Sequence, residues 1–408
     1  MKFYFIFLYV LISSQISIPQ WEYQYPPVQG LLLSTDFVDS LTGVASGWQF
    51  ELGNPSGRIT YTRDGGNNWY LSNIPLRSRS ITGIQMINND LGYACGAYNL
   101  FMHNSTSKIF NTYEYNNINK YDPVLLNMIK YGLNPHRDDY NGIFLKTTNA
   151  GIDWNSIGVL PDSIIYLAGL SFLDSLTGYI ASTSAVSING KIFKTTDGGL
   201  SWVQQTFDEG VYFWNIEFNN LNQGLAVGYI VPSPGIYQGI IYWTDNGGTE
   251  WHKIIFPDID NFNHLSFNSS NTAYVTGIST DLQSVVFKSS NGGESWELTS
   301  DTSAYEYFYD GIDFLENSEE GVLFGTRSIQ DSLGATVIIP FIAKTTNGGT
   351  SWITISQFDS LVSYMVLGGK LVDESTWYLC GGRLSSSVIF KTTNGGVTFV
   401  KGSEYETQ

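Results

Sequence analysis

A chain of 408 residues in which 15% are aromatic and only 14% charged has the material for a large packed core. Its formal charge of −17 sets it against nucleic acid and anionic membrane surfaces as partners. Two cysteines, Cys95 and Cys380, are too few for a disulfide framework.

The chain opens with Met1-Lys2, an apolar run from Phe3 to Ile12 and the small polar stretch Ser13-Ser-Gln-Ile-Ser17. Such a sequence describes a secretory signal peptide over residues 1–20, cleaved between Ser13 and Gln20. Ten apolar residues are too few to cross a bilayer, and no cysteine follows them to carry a lipid. The mature chain is expected outside the cytoplasm, secreted or periplasmic, with no membrane span.

Residues 21–408 read as one repeat array. Trp21-Glu-Tyr-Gln-Tyr25 has strand composition but follows no turn motif, so it is expected to complete the last sheet of a ring, beside Thr398-Phe-Val-Lys401. From about Leu31 two motifs alternate. The first is a strand end, a polar turn and a new strand, as in Phe37-Val-Asp-Ser-Leu-Thr-Gly43, Phe172-Leu-Asp-Ser-Leu-Thr-Gly-Tyr179 and Leu371-Val-Asp-Glu-Ser-Thr-Trp377. The second closes each unit with a hydroxyl, Asp or Asn, a small residue, Gly and an aromatic. Its copies are Thr62-Arg-Asp-Gly-Gly-Asn-Asn-Trp69, Thr147-Thr-Asn-Ala-Gly-Ile-Asp-Trp154, Thr195-Thr-Asp-Gly-Gly-Leu-Ser-Trp202 and Thr244-Asp-Asn-Gly-Gly-Thr-Glu-Trp251. Ser289-Ser-Asn-Gly-Gly-Glu-Ser-Trp296, Thr345-Thr-Asn-Gly-Gly-Thr-Ser-Trp352 and Thr392-Thr-Asn-Gly-Gly-Val-Thr-Phe399 complete the set of seven.

Each copy follows a β-branched, aromatic run such as Val388-Ile-Phe-Lys391, which is how a strand entering a turn reads. Asp64, Asn149, Asp197, Asn246, Asn291, Asn347 and Asn394 are placed to accept backbone N–H bonds of their own turn. Asn at five of these seven positions argues against acid catalysis or metal binding by the motif. From Trp154 onward the aromatics recur every 45 to 56 residues. Four short strands at that period predict an all-β, seven-bladed propeller of four-stranded antiparallel blades.

Blade two departs from the pattern, with 85 residues between Trp69 and Trp154. The excess is an insertion over 97–142, within which Asp122 to Tyr131 has the pattern of a short amphipathic helix. Cys95 and Cys380 fall at one position of the second strand in blades two and seven. Blade one lies between them, beyond the ~7 Å that a disulfide spans, so both read as buried free thiols.

The turns resemble Asp-boxes, also called bacterial neuraminidase repeats. With the Thr-Thr-Asp/Asn-Gly-Gly-x-Ser-Trp spelling, the chain from about Trp21 to Lys401 most resembles the photosystem II stability and assembly factor-like branch of seven-bladed propellers. That resemblance implies a non-enzymatic binding protein, with a protein or an extracellular polysaccharide as partner and no cofactor. Sialidases and xyloglucan-degrading endoglucanases share the turn. Yet the Arg-Ile-Pro of sialidases is absent, Gly57-Arg-Ile-Thr60 being the nearest string, and the endoglucanases place their aspartates between two propellers. The resemblance also puts ligands on the face opposite the turns, on loops after the second and fourth strands.

Those loops supply the candidate binding residues: Trp48, Arg77, Arg79, Tyr98, Tyr212, Trp214, Tyr229, Tyr305, Tyr307, Arg327 and Arg383. Aromatics ringed by a few charges suit sugar stacking or peptide anchoring. The alternative reading, a glycoside hydrolase, would draw on Glu209, Asp258, Glu306 and Asp310. Asp258 and Asp260 alone are too few oxygens for a calcium site. His103, His136, His252 and His264 have no metal-ligand spacing, so no metal is expected.

Overall fold

The β-branched runs form strands wherever the repeat places them, and the turn motifs join them into seven antiparallel sheets of four strands each. The computed structural model describes residues 21–51, 54–99, 140–158, 160, 166–183, 189–301, 307–330, 334, 336–355, 364–383 and 385–396. Residues 1–20, expected to be a signal peptide, and the helix expected at Asp122–Tyr131 lie outside the described residues. Of the stretch 97–142, both ends belong to the sheet, Ala97 pairing with Gly142, Tyr98 with Asn141 and Asn99 with Tyr140.

The innermost strands, in blade order, are Gly30–Phe37, Ser78–Met86, Tyr166–Phe172, Val211–Phe218, Ile259–Phe267, Tyr307–Phe314 and Met365–Leu371. Each contacts the next, and the seventh contacts the first, so the ring is closed around a central bore. Every innermost strand carries a bulge at the same place, for instance between Leu32 and Ser34 and between Phe213 and Asn215. A bulge adds twist and turns the strand along the bore. In six blades a glycine of the second strand faces it, a Cβ on Gly47 for instance lying 2.0 Å from the Leu31 carbonyl, whereas blade three has Ser182 there.

The turn motif is a hydrogen-bonded staple. In blade three Thr195 Oγ1 accepts from Gly199 N at 2.9 Å and donates to Asp197 Oδ1 at 2.8 Å. Asp197 Oδ1 also accepts from Ser201 N at 2.9 Å. Blades one, two, four, five and six repeat this set. Only Oδ1 is used inside the turn, which is why Asp and Asn interchange. The other atom faces outward and its partner changes role to match. Asp197 Oδ2 accepts from the Ser201 hydroxyl, whereas Asn347 Nδ2 donates to that of Ser351. The second glycine is fixed by φ and by space. Gly199 sits at φ +87°, and a Cβ there would lie 2.2 Å from Phe144 of the blade before. The first glycine is replaceable, since Ala150 takes its place at φ +58°.

Neighbouring blades are joined through these staples. Tyr179 of blade three stacks on Phe218 of blade four at 3.5 Å, and Phe218 meets the staple Trp251 edge-on. The Tyr179 hydroxyl and Lys194 Nζ both donate to the Gly247 carbonyl inside that staple. The same tyrosine-on-phenylalanine joint recurs as Tyr93 on Phe172, Tyr274 on Phe314 and Tyr378 on Phe37. Such ring pairs contribute about 0.5–1.5 kcal/mol each beyond the area they bury.

Ring closure uses the N-terminal strand, as expected. Trp21–Gln24 pairs antiparallel with Ser386–Thr393 and is the outermost strand of blade seven among the described residues. Thr398–Lys401, the expected neighbour, lies outside the described residues. Cys95 and Cys380 are both free and buried, each against the innermost-strand glycine of its blade.

Candidate functional site

Two regions collect chemistry: the bore, and the face opposite the staples. The bore is built by the residue just before the last of each innermost strand, namely Asp36, Gln85, Ser171, Glu217, Ser266, Asp313 and Lys370. Six of these side chains accept a bond from the backbone of the next blade. Met86 N donates to Asp36 at 2.7 Å, Phe172 N to Gln85 at 2.7 Å and Phe218 N to Ser171 at 2.9 Å. Phe267 N donates to Glu217 at 3.3 Å, Phe314 N to Ser266 at 3.1 Å and Leu371 N to Asp313 at 2.7 Å. These side chains stitch blade to blade around the axis. Lysine cannot accept, so Lys370 instead faces back toward Asp313, 3.7 Å away.

Enclosure in the ring shifts the bore groups. Burial raises Asp36 to about 6 and Glu217 to about 7, with the Lys370 ammonium pulling both the other way. Asp313 is also raised by burial against the opposing pull of Lys370. The Asp313 carboxylate, with Asp36 and Glu217 behind it, holds the Lys370 ammonium above its ordinary value. Burial lowers His264 to about 4. The bore nevertheless admits solvent, Lys370 keeping 38% of its side chain exposed. None of these five was singled out as a functional residue from sequence. For Asp36, Glu217, Asp313 and Lys370 the signal was there, since they share one fixed repeat position with Gln85, Ser171 and Ser266; His264 lies outside it.

On the opposite face the candidates divide by burial. Trp48 is 1% exposed, packed with Leu31, Leu33, Met365 and Leu367 where blades seven and one meet. Trp214 and Tyr229, at 5% and 1%, pack with Tyr166, Ala168 and Ala97. Arg79 is buried and engaged. These four are interior residues, not open surface. Arg77 is exposed at φ +74°, and Arg327 is half-buried and engaged. Arg383 is exposed, lies 5.2 Å over the Tyr364 ring and donates from Nε to Ser386. Tyr98 and Tyr307 are placed by backbone pairing alone, and Tyr305 and Glu306 lie outside the described residues.

One open feature on this face is an aromatic ridge on blade four. Half-buried Tyr212 stacks on Tyr229 at 4.7 Å, and Tyr237 meets Tyr229 edge-on at 5.7 Å. Burial, with Tyr237 nearby, pushes the Tyr212 hydroxyl up to about 12. Ile236, 52% exposed, stands beside Tyr237 at the tip of the Gly224–Ser233 and Ile236–Thr244 hairpin. Tyr237 and Ile236 escaped the sequence reading because nothing in the repeat marks how far this hairpin extends. Of the acidic candidates, Glu209 and Asp258 are exposed. Asp260 is half-buried, and burial raises it to about 6. Asp310 is half-buried at the bulge of blade six and is engaged. Among the described residues no cluster of three or more His, Cys, Asp or Glu forms a cage for a metal ion.

Two of the solved structures to which the chain is similar illustrate the likeness. The shared property is the fold. YCF48 bound to D1 peptide is 15% identical, with a TM-score of 0.57, covering 93% of this chain and 100% of that one. The GH74 xyloglucanase from Xanthomonas campestris is 10% identical, with a TM-score of 0.55, covering 92% of this chain and 54% of that one. This chain therefore spans about half of the xyloglucanase. No family model matches the chain, and no curated protein matches it.

Proposed function

We propose that this chain is a secreted, non-enzymatic Asp-box propeller of the assembly-factor-like kind, which binds a protein partner through the face opposite its staples. The observation that carries this reading is the blade-four ridge. Tyr212 is propped flat on a buried tyrosine, with Tyr237 edge-on to the same ring. Aromatic surface held in place from below contributes to binding at little entropic cost. The bore carboxylates support the same reading, because Asp36, Glu217 and Asp313 are occupied by backbone N–H groups of the next blade. YCF48, matched over its full length, holds a peptide in its solved structure, which favours polypeptide over polysaccharide as the partner class.

The test is binding of the purified chain to an immobilised peptide library and, in parallel, to a polysaccharide panel. Peptide binding that weakens at least tenfold in Tyr212→Ala and in Tyr237→Ala supports the reading. Binding indifferent to both substitutions removes the ridge from it. A hydrolase remains the second reading, favoured by one observation: half-buried Asp260 is raised to about 6, a value suited to a general acid. Turnover of fluorogenic glycosides, abolished by Asp260→Asn, would overturn the binding-only proposal.

A further inference from the structure

Four of the seven staples set asparagine directly before glycine: Asn246-Gly247, Asn291-Gly292, Asn347-Gly348 and Asn394-Gly395. In an unfolded chain that pair is prone to deamidation, because glycine has no Cβ to shield its amide nitrogen. The nitrogen attacks the asparagine Cγ, the Cγ–Nδ2 bond breaks, and ammonia leaves with the amide proton. Water then opens the cyclic imide at either carbonyl. The product is aspartate or isoaspartate, whose main chain runs through Cβ and Cγ.

The folded staple restrains both reacting groups. Gly247 N donates to the Asn222 carbonyl and Gly292 N to that of Asn271, each at 2.8 Å. Gly348 N donates to the Glu319 carbonyl at 3.0 Å and Gly395 N to that of Ser375 at 2.8 Å. All four acceptors lie in the polar turn between the first two strands of the same blade, so the attacking nitrogen is tied down from outside the staple. The target is held as well. Asn246 Oδ1 accepts from Glu250 N at 2.9 Å, and Asn291 and Asn347 accept likewise from Ser295 N and Ser351 N at 3.0 Å. Asn394 Oδ1 accepts from the Thr392 hydroxyl at 2.8 Å. These bonds must break before the nitrogen reaches Cγ, so the reaction waits for the staple to open.

The two products suit the staple unequally. Asp64 and Asp197 already stand at this position, with Oδ1 making the same bonds. Isoaspartate instead adds a main-chain atom between the opening hydroxyl and the glycine N–H that it accepts. Those bonds are 3.0 Å from Gly248 to Thr244 and 2.9 Å from Gly293 to Ser289.

We propose that Asn246, Asn291, Asn347 and Asn394 are deamidation sites that the closed ring protects, so that they react in chains whose staples have opened. The test ages the full-length chain at mildly alkaline pH, folded in buffer and unfolded in urea. Peptide mass mapping reads each site, with isoaspartate resolved from aspartate by chromatography. The four sites should react at least about tenfold more slowly in the folded chain. Equal rates would overturn the proposal, and this comparison needs no refolding. Asn149, followed by Ala150, should react slowly in both conditions. Gly348→Ala, the change that blade two accommodates at Ala150, should spare Asn347 in urea while the other three sites still react. An Asn347 lost there at the wild-type rate would refute attack by the glycine nitrogen. On return to buffer, the folded fraction of the urea-aged chain should carry aspartate at the four sites and be depleted of isoaspartate. Isoaspartate present there undiminished would show that the staple does not discriminate between the products.

Discussion

Replacing Glu217 with glutamine should stabilise the ring at neutral pH and leave it unchanged in acid. The glutamine Oε1 can still accept from Phe267 N, so the stitch between blades four and five is kept while the charge is lost. Burial raises Glu217 from 4.5 to about 7. The folded state therefore holds a proton between those values that the unfolded chain has already released. Its contribution to stability is fully present below 4.5 and is lost as pH rises through 7. At about 1.4 kcal/mol per pH unit the gap corresponds to roughly 3 kcal/mol. Solvent in the bore screens the effect, leaving about 1–2 kcal/mol. His264, lowered to about 4, works in the opposite sense, its contribution being lost as pH falls from 6.5. The difference between variant and wild type cancels that term. Unfolding followed by tryptophan fluorescence in denaturant at pH 4.5, 6 and 7.5 should show the two chains equal in acid and separated by about 1–2 kcal/mol at pH 7.5. A variant less stable at pH 7.5, or a difference that ignores pH, would refute the reasoning.

Lys370→Met should destabilise the chain by about 2–3 kcal/mol at pH 7.5, because it leaves three enclosed carboxylates without their cation. Much of that loss should return at pH 5, where Asp36 and Glu217 take up protons. Asn347→Asp should be nearly neutral in thermal melts, since Oδ1 serves the turn in both, whereas Asn347→Leu should cost about 1–2 kcal/mol by stranding the Ser351 amide. Gly199→Ala should be worse than Gly198→Ala in the same melts, because a methyl at 199 meets Phe144 at 2.2 Å and one at 198 meets the Ser175 carbonyl at 2.8 Å, where blade two accommodates Ala150. Tyr179→Phe should cost about 1 kcal/mol by removing one of two donors to the Gly247 carbonyl.

The parts of this molecule legible in the sequence are those with a local cause. A staple needs a hydroxyl, an Asx oxygen and a glycine in the left-handed region within eight residues, so its seven copies announce themselves. Strand count, blade count and antiparallel order follow from them. The loop-face candidates were harder to read, because burial is a property of what lies across the ring. Trp48 looks like any loop-end aromatic until Leu31, Leu33, Met365 and Leu367 close over it from two blades. Asp36, Glu217, Asp313 and Lys370 are charges near strand ends with no mark in their local sequence of a shared interior. Ring closure turns those strand ends toward one axis and raises the carboxylates by burial.

By itself the sequence determined how each unit turns, because hydrogen bonds spanning eight residues depend on nothing farther away. How the N-terminal strand pairs in blade seven, which aromatics remain open to a partner and which charges share the bore were decided only in the tertiary structure. Those outcomes depend on contacts between residues as distant as Trp21 and Thr392, whose meeting requires the whole ring.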